Sequence, residues 1–134
     1  MNSTRPLLLE IDERRIQLAM TKADLADRSG IGLVTIRNIF AGPVQRIRKE
    51  LVVRIAEAVG MELRTSAPPS VHATCSVDEF RRSQAQQKAR RIVKLVQGTM
   101  ALEGATVDHN TLDELEEANI HELLTGPASR LWGE

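Results

Sequence analysis

Aromatic side chains are scarce in this chain of 134 residues, which has no Tyr, two Phe and one Trp. That is too little aromatic material for one large core and fits two small units better. Cys75 is the only cysteine, which excludes an internal disulfide and agrees with a reducing cytosol. His72 and Cys75 stand in an H-x-x-C spacing, but a zinc site needs a second pair of ligands and none is close by, so no metal and no cofactor is expected. Signal-peptide features and long apolar runs are also missing, so the expectation is a soluble, cytoplasmic protein without a membrane partner. No stretch alternates as a strand would, and the β-branched residues recur at helical spacing, so the expected fold class is all-α. Glu114, Glu116 and Glu117 form a carboxylate cluster. They have no partnered base, nucleophile or phosphate loop, so a solvated helix face explains them; no enzyme and no catalytic residue is expected.

Net charge is absent too, with 18 Lys and Arg against 18 Asp and Glu. The balance is local rather than uniform. Residues 1–66 carry 11 basic against 8 acidic side chains, residues 76–98 carry 6 against 2, and residues 99–134 carry 1 against 8. This pattern supports a basic DNA-facing part and an acidic C-terminal end suited to a basic partner.

What is present centres on Thr21 to Gly42, TKADLADRSGIGLVTIRNIFAG. Thr21 with Asp24 reads as an N-cap and acidic first turn, opening a short helix that carries Leu25 and Ala26 inward and ends at Gly30. Ile31 is an apolar plug and Gly32 lets the chain turn into a second helix. There Val34, Ile36, Ile39 and Phe40 are apolar, Thr35, Arg37 and Asn38 polar, and Gly42-Pro43 closes it. Two short helices joined by a Gly-containing turn form a helix-turn-helix, whose second helix can enter the major groove. Met20-Thr21, Leu25-Ala26, Gly30-Ile31, Thr35-Ile36 and Gly42 together resemble the Cro/C1 (Xre) DNA-binding domain; an ordinary helical hairpin is the plainer alternative. The DNA-binding candidates are Gly32, Leu33, Val34, Thr35, Arg37 and Asn38 on the second helix, with Thr21 and Lys22 at phosphates. A single module binds weakly, so a homodimer on a two-fold operator is expected.

The flanks complete a bundle over residues 4–64. Ser3 or Thr4 can cap a first helix with Pro6 in its first turn, followed by Leu8, Ile11, Arg15, Ile16 and Leu18. After Pro43, Ile47, Leu51, Ile55 and Val59 recur at steps of four, widened by Val52 and Ala56, until Gly60. Residues 65–75, TSAPPSVHATC, lack charge and hold two adjacent prolines, so they are expected to be a linker. A helical module is expected over residues 76–126, and residues 127–134 form a tail with the lone Trp132 folded back or anchoring a partner. Ser76 and Glu79 read as a capping box for a helix running toward Leu102, with Phe80, Ala89, Ile92, Val93, Val96 and Met100 along one side. Thr111 and Glu114 read as a second box, opening a helix that ends at Gly126-Pro127.

Thr99 and Glu103 lie four apart, hence on one helical face, with Gly104 directly after. Taken alone, they fit an exposed Glu before a Gly cap. Over Ala89 to Gly126 the chain resembles the antitoxin domain that inhibits Fic-type AMP-transferases, whose motif is Ser or Thr, three residues, Glu, then Gly or Asn. The likeness includes Leu102 before the Glu, a polar loop with Asp108 and a last helix ending in His121-Glu122-Leu123. It implies that Thr99, Glu103 and Gly104 are the inhibition residues, with Glu103 pairing with a toxin arginine that would otherwise hold the ATP γ-phosphate. One departure is that such antitoxins are often short and lack a DNA-binding domain. The expectation is therefore an antitoxin that represses its operon and holds a cognate, Fic-type toxin inactive. The alternative is an Xre-type regulator whose C-terminal helices serve dimerisation.

Overall fold

The computed structural model describes residues 4–41, 47–65, 68–104 and 108–133. It is helical apart from one small sheet, and its elements run α1 (Thr4–Gln17), α2 (Lys22–Ser29), α3 (Leu33–Ala41), α4 (Lys49–Ala58), β1 (Met61–Arg64), β2 (Ser70–Ala73), α5 (Val77–Leu102), α6 (His109–Thr125) and α7 (Ala128–Trp132). The chain separates into two compact units, Met1–Val77 and Asp78–Glu134.

The first unit is built around aliphatic side chains. Ile11, Leu18, Met20, Leu25, Ile36, Ile55 and Val59 are all almost fully buried, and each contributes about 1.5–3 kcal/mol relative to exposure. The inner side of α1 is Leu7, Leu8, Ile11 and Arg14, with Leu18 just beyond the helix, and does not include Ile16, which is 61 % exposed. The helical period accounts for this, because Ile16 lies about 200° around the axis from Arg14. Helix α1 closes with the paired bonds of a Schellman turn, Ala19 N–H to the Ile16 carbonyl (2.9 Å) and Met20 N–H to the Arg15 carbonyl (3.1 Å). Ala19 takes the left-handed conformation there, at φ 55°. Of the two residues expected to cap α1, Thr4 is instead its first residue, while Ser3 and the Gly42-Pro43 end expected for α3 lie outside the described residues.

One expectation changes at the end of this unit. Residues 61–64 and 70–73 pair as an antiparallel hairpin with Met61 opposite Ala73 and Leu63 opposite Val71. The stretch 65–75 is therefore not simply a linker. Its strand is four residues long, too short for alternation to be legible, and Val71 is buried only in the folded unit, with Leu63 opposite it in the hairpin and α1 beside the strand. Arg14 locks this arrangement from below. Its Nε donates to the Val59 carbonyl at 3.0 Å and a terminal nitrogen to the Cys75 carbonyl at 2.8 Å, joining α1 to the ends of α4 and of the hairpin.

In the second unit, α6 returns antiparallel to α5, as shown by Arg81 donating to the Leu124 carbonyl (3.1 Å) and by the Arg90–Glu116 pair (3.2 Å). Its interior is Gln84, Ala85, Ala89 and Val93 of α5, Leu112, Ile120 and Leu123 of α6, and Leu131 and Trp132 of α7. Ile92, expected along the same side of α5 as Ala89 and Val93, is exposed while those two are buried. The expected Thr111–Glu114 box is replaced by Asp108, which caps α6 by accepting from the Thr111 amide at 2.7 Å. The tail is folded back: Trp132 stacks on Phe80 with centroids 5.7 Å apart, and Gln84 Nε2 donates to the Leu131 carbonyl at 3.1 Å.

Candidate functional site

The turn between α2 and α3 is assembled by local bonds. Thr21 Oγ1 accepts from the Asp24 amide (3.0 Å), and the Thr21 amide donates to the Asp24 carboxylate (3.1 Å), completing a reciprocal capping box. At the other end Gly30 sits at φ 72° and donates to the Ala26 carbonyl, a left-handed stop that a residue with Cβ adopts only at a cost. Ile31 then plugs into the core and Ile36 and Ile39 anchor α3. Arg28 ties α2 to α4 by donating Nε to the Ala58 carbonyl at 3.1 Å, and partial burial lowers the pKa of its guanidinium.

This anchoring turns the remaining positions of α3 outward. Val34, Thr35, Arg37 and Asn38 are exposed, Gly32 is exposed just ahead of the helix, and Leu33 is half-buried at its start. Val34 is 69 % exposed while Ile36, two positions on, is fully buried. An isolated apolar side chain between polar ones on an outward helix suits contact with a thymine methyl, Arg37 matches the acceptor pair of guanine, and Asn38 matches adenine. Neither the Arg37 nor the Asn38 side chain makes a hydrogen bond or ion pair with another described residue, so their donors are available. Lys22 begins α2, half-buried, where its ammonium can reach a phosphate. The Thr21 side chain is committed to the cap, so its direct part at a phosphate reduces to the hydroxyl proton.

The second group of candidate residues sits at the end of α5. Thr99 is exposed in the last turn, its hydroxyl donating to the Leu95 carbonyl at 2.9 Å. Glu103 follows the helix directly, exposed, its amide bonded to the Thr99 carbonyl at 3.2 Å, and its carboxylate meets no other described side chain. Gly104 is left-handed at φ 78°. That conformation is a physical reason for Gly or Asn after the Glu of the motif, since those residues enter it most readily. The carboxylate also lies at the carbonyl end of a helix, where an anion is disfavoured by a few tenths of a kcal/mol. The upstream line Ile92, Leu95 and Leu102 is exposed along α5. The sequence did not single out Arg14, Arg28 or Leu95; the two arginines are recognisable only once the carbonyls they bind are in place.

Among the described residues no group of three His, Cys, Asp or Glu side chains is placed to hold a metal ion, and no helix is long and apolar enough to cross a membrane. Residues 11–65 match the helix-turn-helix family model, a span covering the second half of α1, the capped turn, α3, α4 and β1. The N-terminal unit is thus a DNA-binding helix-turn-helix domain of a transcription regulator. No curated protein and no solved structure matches the chain.

Proposed function

We propose that the chain is the antitoxin of a toxin–antitoxin pair, acting in the cytoplasm: α3 binds operator DNA to repress the operon, and the second unit holds a cognate Fic-type AMP-transferase inactive through Glu103. The observation that carries the second half is the geometry at the end of α5. There an exposed carboxylate without a described partner follows an exposed apolar line and precedes a left-handed glycine. A carboxylate matches a guanidinium fork in a bidentate way, so Glu103 would compete directly with a nucleotide phosphate for a toxin arginine. Pairing would also remove the unfavourable contact between its charge and the helix end. In this reading the chain does no chemistry itself; it obstructs the phosphate clamp of another protein.

Two experiments separate the halves. Glu103→Gly should leave the toxin complex assembled, because Ile92, Leu95 and Leu102 supply apolar contact, while nucleotide transfer by the co-purified pair returns. The same change at Glu117, which is exposed on α6, should leave the pair silent. Glu103→Gly as inactive as wild type would remove the obstruction mechanism. On DNA, Arg37→Ala should weaken operator binding by more than about 1 kcal/mol and relax preference at one base pair, whereas Lys22→Ala should weaken all sequences alike. A folded Arg37→Ala protein with full operator affinity would exclude Arg37 from the interface.

A further inference from the structure

The exposed line on α5 has a regularity of its own. Ile92, Leu95 and Leu102 are 38, 72 and 91 % exposed, and Thr99 between them is exposed as well. Positions 92, 95, 99 and 102 advance by three, four and three, the spacing of the inner positions of a coiled coil. The residues facing the interior of the unit, Ala85, Ala89 and Val93, advance by four along a different side. The line ends N-terminally at Lys88, whose ammonium is held down by the carbonyls of Arg130 and Gly133 in and after α7. Gly98 flanks the line in mid-helix, where glycine weakens a helix, yet a Cβ there would meet no other described atom within 4 Å. Nothing in its own surroundings calls for a glycine. A second helix crossing closely at this point would.

We propose that a second copy of the chain covers this line, the two α5 helices running antiparallel and crossing near residue 97. In that register Ile92 meets Leu102 of the second copy and Leu95 meets Thr99, each contact occurring twice by symmetry. Charge sets the direction. The line starts beside Arg91 and Lys94, ends at Glu103, and has no charged residue between Lys94 and Glu103. Antiparallel helices bring the basic start of one near the acidic end of the other, whereas parallel helices would set like charge beside like charge. Two α5–α6 hairpins joined in this way make a four-helix arrangement. Thr99 lies inside the line and Glu103 at its end, so on the toxin reading, and only there, self-association and toxin binding exclude each other.

The test uses the full chain. Wild type should sediment as a dimer, and Leu95→Glu should weaken association roughly a hundredfold or more, with an unchanged far-UV spectrum because Leu95 is exposed. Gly98→Ala should weaken association too, by adding a Cβ at the crossing. Ile16→Glu, at an exposed apolar position on α1, should leave the dimer intact. With Cys75→Ser as background, Leu95→Cys and Thr99→Cys proteins mixed under oxidising glutathione should yield the mixed disulfide, and neither alone should cross-link. A monomeric wild type, a Leu95→Glu protein that stays dimeric, or cross-linking of Leu95→Cys with itself would overturn the proposal. Loss of the dimer in Leu95→Glu together with a silent Glu103→Gly would refute the toxin reading alone.

Discussion

Replacing Arg14 with Leu removes two charged donors from the place where α1, the end of α4 and the end of the β-hairpin meet. The side chain is only 7 % exposed, and the Val59 carbonyl it serves belongs to a fully buried residue. A hydrogen bond from a charged donor contributes about 1.5–3 kcal/mol, and an acceptor left buried without a partner loses that in full. The Cys75 carbonyl is partly reached by solvent, so water recovers some of the second bond. The expected loss is therefore about 3 kcal/mol, against about 4–11 kcal/mol of total stability for a unit of this size. Arg14→Lys, which can keep one of the two bonds, should lose about half as much. The lone Trp132 lies in the second unit, so fluorescence reports that unit while far-UV circular dichroism reports both. In urea, Arg14→Leu should shift the fluorescence transition little and move the circular-dichroism transition of the first unit to much lower denaturant. Operator affinity should fall in parallel with the folded fraction. A shift of the first transition below about 1 kcal/mol, or an equal shift of both, would refute the role given to Arg14.

Ala19 occupies a left-handed helix stop, so Ala19→Gly should stabilise the first unit by about 0.5–1 kcal/mol and Ala19→Val should destabilise it, as urea midpoints would show. If Ala19→Gly is instead destabilising, backbone strain is not what this position carries. The Asp108 carboxyl is held below the ordinary aspartate range by hydrogen bonds from the Thr111 hydroxyl and amide. A depressed folded pKa contributes stability above the unfolded value and loses it as pH falls through the folded value. Acidification past the aspartate range should therefore speed hydrogen exchange at Thr111 and Leu112, and Asp108→Asn should abolish that pH response; the same acid response in both proteins would contradict it.

The helix-turn-helix was legible because its determinants are local. Thr21 with Asp24, Gly30, and the alternation of buried Ile36 and Ile39 with outward Val34, Arg37 and Asn38 all act within one or two turns of chain. The extent of α5 and its glycine stop were readable for the same reason. Where two local signals compete, residue type alone does not separate them: Thr111 with Glu114 fits a capping box, but Asp108 stands three residues before Thr111 and its carboxylate accepts from that amide.

What only the tertiary structure decided depends on groups far apart in sequence. The hairpin exists because Val71 finds Leu63 and because Arg14 binds carbonyls 45 and 61 residues away. The sequence alone marks Arg14 as one more basic residue on an amphipathic helix. The fate of Trp132 likewise depends on Phe80, 52 positions earlier, across a returning helix. The division of α5 into a covered line through Ala85, Ala89 and Val93 and an open one through Ile92, Leu95 and Leu102 was equally hidden, because a helical period shows which residues share a side but not which side another helix will cover.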